Sequence, residues 1–174
     1  SGIAFDDNRI DFYTYGDAER ALQPLGKLPV LEFDGVKYPQ SLALARYVGK
    51  LGGLYPADPL EALRVDVLIE TLTEVRSFAA DIRWRTTDEA VKAEKSKILL
   101  EETLPKYFGF VETYLKGPFL FGDKLTLADL IIFDICENSL KDDQPEFDLS
   151  QYAKIEILVN AVRANERVAA YLAR

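Results

Sequence analysis

A single change of hydrophobic period divides this sequence and limits what it can build. Up to Leu51 short apolar runs alternate and are punctuated by tight-turn residues, whereas from Pro59 onward apolar residues recur at helical spacing. Gly52-Gly-Leu-Tyr-Pro-Ala-Asp58 between them is the one stretch with linker character. The reading is therefore a mixed α/β domain over 1–51, a linker over 52–58 and an all-α domain over 59–174.

In the first part, Arg9-Ile-Asp-Phe-Tyr13 alternates and predicts a short strand. Leu28-Pro-Val-Leu-Glu-Phe33, Asp34-Gly35 and Val36-Lys-Tyr38 read as a hairpin, because Asp-Gly supplies the positive φ of a two-residue loop. Leu42, Ala45, Val48 and Leu51 then mark a helix from Ser41. In the second part, Pro59 suits the start of a helix whose stripe runs through Leu60, Leu63, Val67, Leu68, Leu72, Val75, Phe78 and Ile82. A second helix is expected from Asp88 to Leu115 with a kink at Pro105, and two shorter ones from Tyr152 to Arg174. Between them, Thr126 and Asp129 fit a capping box opening a central, nearly all-apolar helix.

Composition removes several kinds of chemistry. Ten Phe, nine Tyr and one Trp are too many for a disordered chain. Net charge is −8 without a basic cluster, so nucleic-acid and anionic-membrane partners are not expected, and no apolar run is long enough for a membrane span. The absence of His rules out Ser-His, Cys-His and His-metal mechanisms, and the single Cys136 rules out a disulfide framework or Cys-based metal cluster. Cys136, inside an apolar helix, is expected to be buried and inert. A lone thiol without a signal-peptide pattern predicts a cytoplasmic protein. There is no Met, so Ser1 is expected to be a processed end or the start of a fragment.

Two features carry functional information. A serine opening a helix caps its first amides, but the same free N–H groups and dipole end also form an anion site suited to a carboxylate. Pro29 inside a strand-like run demotes the strand unless the Leu28-Pro29 peptide is cis. In that case the backbone of Leu28 is free to pair with a peptide-like ligand in the manner of strand addition.

Pro24-Leu-Gly-Lys-Leu-Pro-Val-Leu31, Asp34-Gly35 and Pro39-Gln-Ser-Leu-Ala-Leu-Ala-Arg-Tyr47 resemble the glutathione-site block of cytosolic glutathione transferases. Gly122-Asp-Lys-Leu-Thr-Leu-Ala-Asp129 resembles the same family's helical-domain box, and the nearest likeness is to the sigma class. The resemblance implies a thioredoxin-like N-terminal domain plus an all-α C-terminal domain. The family's first strand and helix, ~20–30 residues, and its catalytic Tyr are expected ahead of Ser1, so no catalytic residue is assigned here. It also implies that Leu28, before a cis Pro29, pairs with the cysteinyl backbone of glutathione. Gln40 and Ser41 take the γ-glutamyl carboxylate, while Arg20 and Lys27 stand near the glycyl carboxylate. Glu74 reaches the γ-glutamyl amine from the partner subunit of a homodimer. Ile82 and Trp84 fall near the second-substrate pocket, with Phe78 in core packing. The implied activity conjugates glutathione, a substrate rather than a bound cofactor, to a small hydrophobic electrophile without a metal. The alternatives are a glutathione-dependent isomerase of the prostaglandin D synthase type and a non-catalytic structural or assembly module.

Overall fold

The computed structural model describes residues 3–11 and 13–173, and the chain separates into two compact units, 1–55 and 56–174. The first unit opens with irregular chain. The strand expected over Arg9–Tyr13 does not form across its described residues, and Phe12 lies outside them. Asp11 explains why: its carboxylate accepts the Tyr13 N–H at 2.8 Å and its carbonyl accepts the Thr14 N–H at 3.1 Å. That local turn takes up the groups a strand ladder would need.

A short helix that the sequence did not announce follows, α1 (Asp17–Ala21), with Gly16 at its N-cap and the Glu19 carboxylate returning to the Gly16 N–H at 3.1 Å. Strands β1 (Val30–Phe33) and β2 (Val36–Pro39) form the expected antiparallel hairpin. Asp34 (φ 50°) and Gly35 (φ 74°) both sit in the left-handed region, the geometry a two-residue loop requires between right-twisted strands. The register runs from Phe33↔Val36 to Val30↔Pro39, and among the described residues these two strands are the whole sheet. Helix α2 (Ser41–Leu51) leaves the hairpin directly. Its inward face centres on Gly49, so Val48 and Leu51, expected inward, are exposed.

The second unit is helical throughout. Asp58 caps α3 (Pro59–Trp84) by accepting the Leu60 and Glu61 N–H groups at 3.0 and 2.9 Å. At ~1.5 Å per residue, its 26 residues make a rod of about 39 Å. The buried stripe is Val65, Leu68, Ile69, Leu72, Val75, Ala79 and Ile82, whereas Leu60 and Leu63, expected in the stripe, are 55% and 57% exposed. Asp88 caps α4 (Glu89–Ile98), which widens into a π-helical turn at Leu99–Thr103 before α5 (Leu104–Glu112). Pro105 accounts for the irregularity, since its ring has no N–H for the Glu101 carbonyl and clashes with it in a regular helix.

The capping box at the next helix is fully engaged. Asp129 accepts the Thr126 N–H and hydroxyl, both at 2.7 Å, and the Leu120 N–H at 2.8 Å. It sits in the first turn of α6 (Leu127–Asp134), whose buried side chains include Leu127, Ile131, Ile132 and Phe133, as expected of a central helix. A second π-helical turn, Ile135–Leu140, and the helices α7 (Ala153–Ala164) and α8 (Glu166–Leu172) complete the unit. Every buried apolar side chain among the described residues lies between Val65 and Val162.

Candidate functional site

The hairpin register brings the two functional segments of the first unit to one end. Leu28 and Pro29 enter β1 just before Val30, and Gln40 and Ser41 leave β2 just after its partner Pro39. The Leu28-Pro29 peptide is cis. Leu28 makes no backbone hydrogen bond among the described residues, and its side chain is exposed.

At the other segment the cap is not where a helix-opening serine predicts. Gln40 occupies the N-cap with φ 81° and ψ 94° and forms no side-chain cap bond, and Ser41 is the first helical residue and exposed. The first-turn amides of α2 therefore lack the side-chain acceptor that Asp58 and Asp88 provide for α3 and α4. A non-glycine residue held at such a φ costs ~1–3 kcal/mol, a strain that concentrates at ligand clamps and active sites. The result is an open, positively polarised helix end beside an unpaired strand entry.

Arg20 and Lys27 precede these groups in sequence, and both are exposed. Gly26 (φ 60°) folds the intervening loop back, so that a Cβ added there would lie 3.8 Å from Arg20 Cβ. The Arg20 guanidinium stands 5.5 Å from the Tyr15 ring centroid. The Tyr15 hydroxyl is buried without a hydrogen-bond partner among the described residues, a feature that nothing in the local pattern flagged.

The other expected site residues belong to the helical unit. Glu74, exposed on α3, accepts the Tyr107 hydroxyl at 2.5 Å, which together with burial raises the Tyr107 pKa above the usual phenol value. Both line a cleft of about 340 Å³ with Phe78 of α3, Glu102 and Thr103 of the first π-helical turn, and Lys106 of α5. Phe78, expected in the core, thus lines this cleft. Ile82, expected beside a substrate pocket, is 1% exposed and belongs to the core, because the buried stripe of α3 passes through it. Trp84 is 63% exposed, with the Arg83 guanidinium 4.5 Å from its ring centroid. Burial pushes the Cys136 thiol up to about 12, with Glu137 adding to the shift, so it holds its proton at neutral pH. Among the described residues no three His, Cys, Asp or Glu side chains gather as metal ligands, and no helix is long and apolar enough to cross a membrane.

The glutathione S-transferase C-terminal domain family matches residues 74–174. Human haematopoietic prostaglandin D synthase is 31% identical over 99% of this chain and 84% of its own length. Among solved structures, a prostaglandin synthase D of Nilaparvata lugens superposes with a TM-score of 0.85 at 32% identity, covering 99% of this chain and 85% of that one. A glutathione transferase homologue from sulfitobacter with bound glutathione superposes at 0.76 with 27% identity, covering 95% of this chain and 84% of the other.

Proposed function

The chain belongs to the glutathione S-transferase family, and from that premise we propose that it binds glutathione at the Leu28 and Gln40–Ser41 end of the hairpin and conjugates it to small hydrophobic electrophiles. The observation carrying this reading is the α2 N-terminus, where Gln40 takes a strained φ of 81° and Ser41 is left uncapped. The γ-glutamyl carboxylate would accept the Ser41 hydroxyl and the first-turn amides, with the helix dipole favouring its charge. The exposed Leu28 backbone would pair with the cysteinyl amide and carbonyl, and Arg20 and Lys27 would attract the glycyl carboxylate in a chain whose net charge is −8.

A free thiol titrates near ~8.5, so only its deprotonated fraction is nucleophilic at neutral pH. In the reaction the thiolate forms a C–S bond with the electrophile, whose leaving group departs with the bonding pair. No catalytic residue is assigned to residues 1–174. A sigma-like class, cytoplasmic location and homodimer complete the proposal. Exposed Leu60 and Leu63 on α3 offer apolar surface for a second copy, and Glu74 of that helix would approach the partner's γ-glutamyl amine. The second reading is a glutathione-dependent isomerase of the prostaglandin D synthase type, favoured by the human and Nilaparvata lugens relatives.

Retention on immobilised glutathione, followed by titration of Ser41→Ala, tests the site. One charge-assisted hydrogen bond lost predicts about tenfold weaker binding. An unchanged affinity would refute the role of Ser41. Turnover of a chlorodinitrobenzene against formation of prostaglandin D separates the two enzymatic readings.

A further inference from the structure

Lys37 on β2 makes a contact that no motif announces. Its Nζ donates to the carbonyl of Leu22 at 2.9 Å, fifteen residues away. Leu22 is the C-cap residue of α1, so the lysine meets the carbonyl-rich, negatively polarised end of that helix. Helix α1 contains no buried residue, so apolar packing does little to hold it. Among the described residues this is the only side-chain hydrogen bond joining residues 17–27 to the hairpin.

Arg20 and Lys27 both belong to the segment so anchored. Successive turns make it one piece: the Gln23 N–H donates to the Arg20 carbonyl at 3.0 Å and the Gly26 N–H to the Gln23 carbonyl at 3.1 Å. Leu28, Gln40 and Ser41 are placed instead by the hairpin itself. The Lys37 bond therefore ties the segment that carries both cationic side chains to the hairpin.

We propose that Lys37 is a positioning residue that registers Arg20 and Lys27 against the hairpin for the glycyl carboxylate of glutathione. This rests on the glutathione reading above. Its signature is selective: loss of the bond weakens recognition of the glycyl end and leaves the γ-glutamyl and cysteinyl contacts alone.

The test titrates the protein with glutathione and with γ-glutamylcysteine, which lacks the glycine, using wild type, Lys37→Met and Lys37→Arg. Release of one charge-assisted bond predicts ~5-fold weaker glutathione binding by Lys37→Met. Its γ-glutamylcysteine affinity should stay within about twofold of wild type on the same basis, and Lys37→Arg should recover most of the loss. Equal weakening toward both thiols, or no change toward either, would overturn the assignment. Circular dichroism melting of each variant identifies a general loss of fold, which would appear as that equal weakening. A wild-type protein that binds neither thiol would overturn the glutathione reading and this proposal with it.

Discussion

The two units are held together in different ways. In the helical unit, side chains from Val65 to Val162 are removed from water and packed on α3 and α6, each contributing ~1.5–3 kcal/mol when fully buried. Among the described residues of 1–55 only Gly49 is buried, while Phe33, Val36, Tyr38, Tyr47 and Leu51 are exposed. Their conformation is specified instead by backbone devices: the Asp34-Gly35 loop, the positive φ of Gly26 and Gln40, and the Lys37 tie to Leu22. The groups proposed to meet glutathione all stand on this less constrained scaffold, apart from Glu74. Parts that respond to ligands are drawn from the low-stability end of a structure, and this division fits that rule. Substitutions in the helical unit should then move stability, whereas those in the first unit should move binding.

The largest expected effect that would break this contrast is at Asp129. Its pKa is raised because burial outweighs the Leu120 and Thr126 hydrogen bonds, so its ionised form gains nothing by leaving water. Removing it is nevertheless costly, because Asp129→Ala strands two buried N–H donors at ~1–3 kcal/mol each. A loss of about 3 kcal/mol in denaturant unfolding is expected, and a loss under 1 kcal/mol would show that the capping box is dispensable to the core. Gln40→Gly should act in the opposite direction. Relief of the left-handed strain predicts a gain of about 1 kcal/mol in the stability of the unliganded protein, accompanied by weaker glutathione binding. Unfolding curves with and without glutathione measure both. A destabilised Gln40→Gly variant would mean that the Gln40 side chain, not its backbone, matters.

The same contrast explains what the sequence let one foresee. The hairpin was legible because Asp-Gly has few other uses between apolar runs, and the Thr126 cap because it satisfies amides by a local rule. Helix α1 was not, being five residues long and closed by a glutamate reaching back to a glycine. Alternation over Arg9–Tyr13 mimicked a strand until the Asp11 turn claimed its amides. In α3 the expected stripe held at Leu68, Leu72 and Val75 but not at its start, because Leu60 and Leu63 lie outside the face that buries Val65 and Ile69. Phe78 and Ile82 were exchanged for the same reason, one lining the cleft and the other in the core. At the site, Ser41 was expected to open and cap the helix, yet the cap went to Gln40, a non-glycine residue at a φ that propensity disfavours.

The smallest effect sharpens the comparison by testing a polar tie inside the well-packed unit. Lys95 Nζ lies 2.7 Å from the Asp81 carboxylate and 3.0 Å from the Thr86 hydroxyl, joining the end of α3 to α4. The hydrogen bond to Lys95, aided by the charges of Lys95 and Arg85, holds the Asp81 pKa below the usual carboxylate value despite an opposing desolvation effect. A carboxylate with a depressed native pKa binds fewer protons folded than unfolded, so its stabilisation is present above the unfolded pKa of ~3.9 and lost as pH falls through the lower native value. Lys95→Met should therefore leave a slightly less stable protein at neutral pH, and that deficit should vanish below the native Asp81 pKa, as read from thermal melts across pH. Because the core on either side of the tie is intact, glutathione affinity at neutral pH should not change. If Lys95→Met shifted that affinity as much as Lys37→Met does, the division between a unit that carries stability and one that carries recognition would fail.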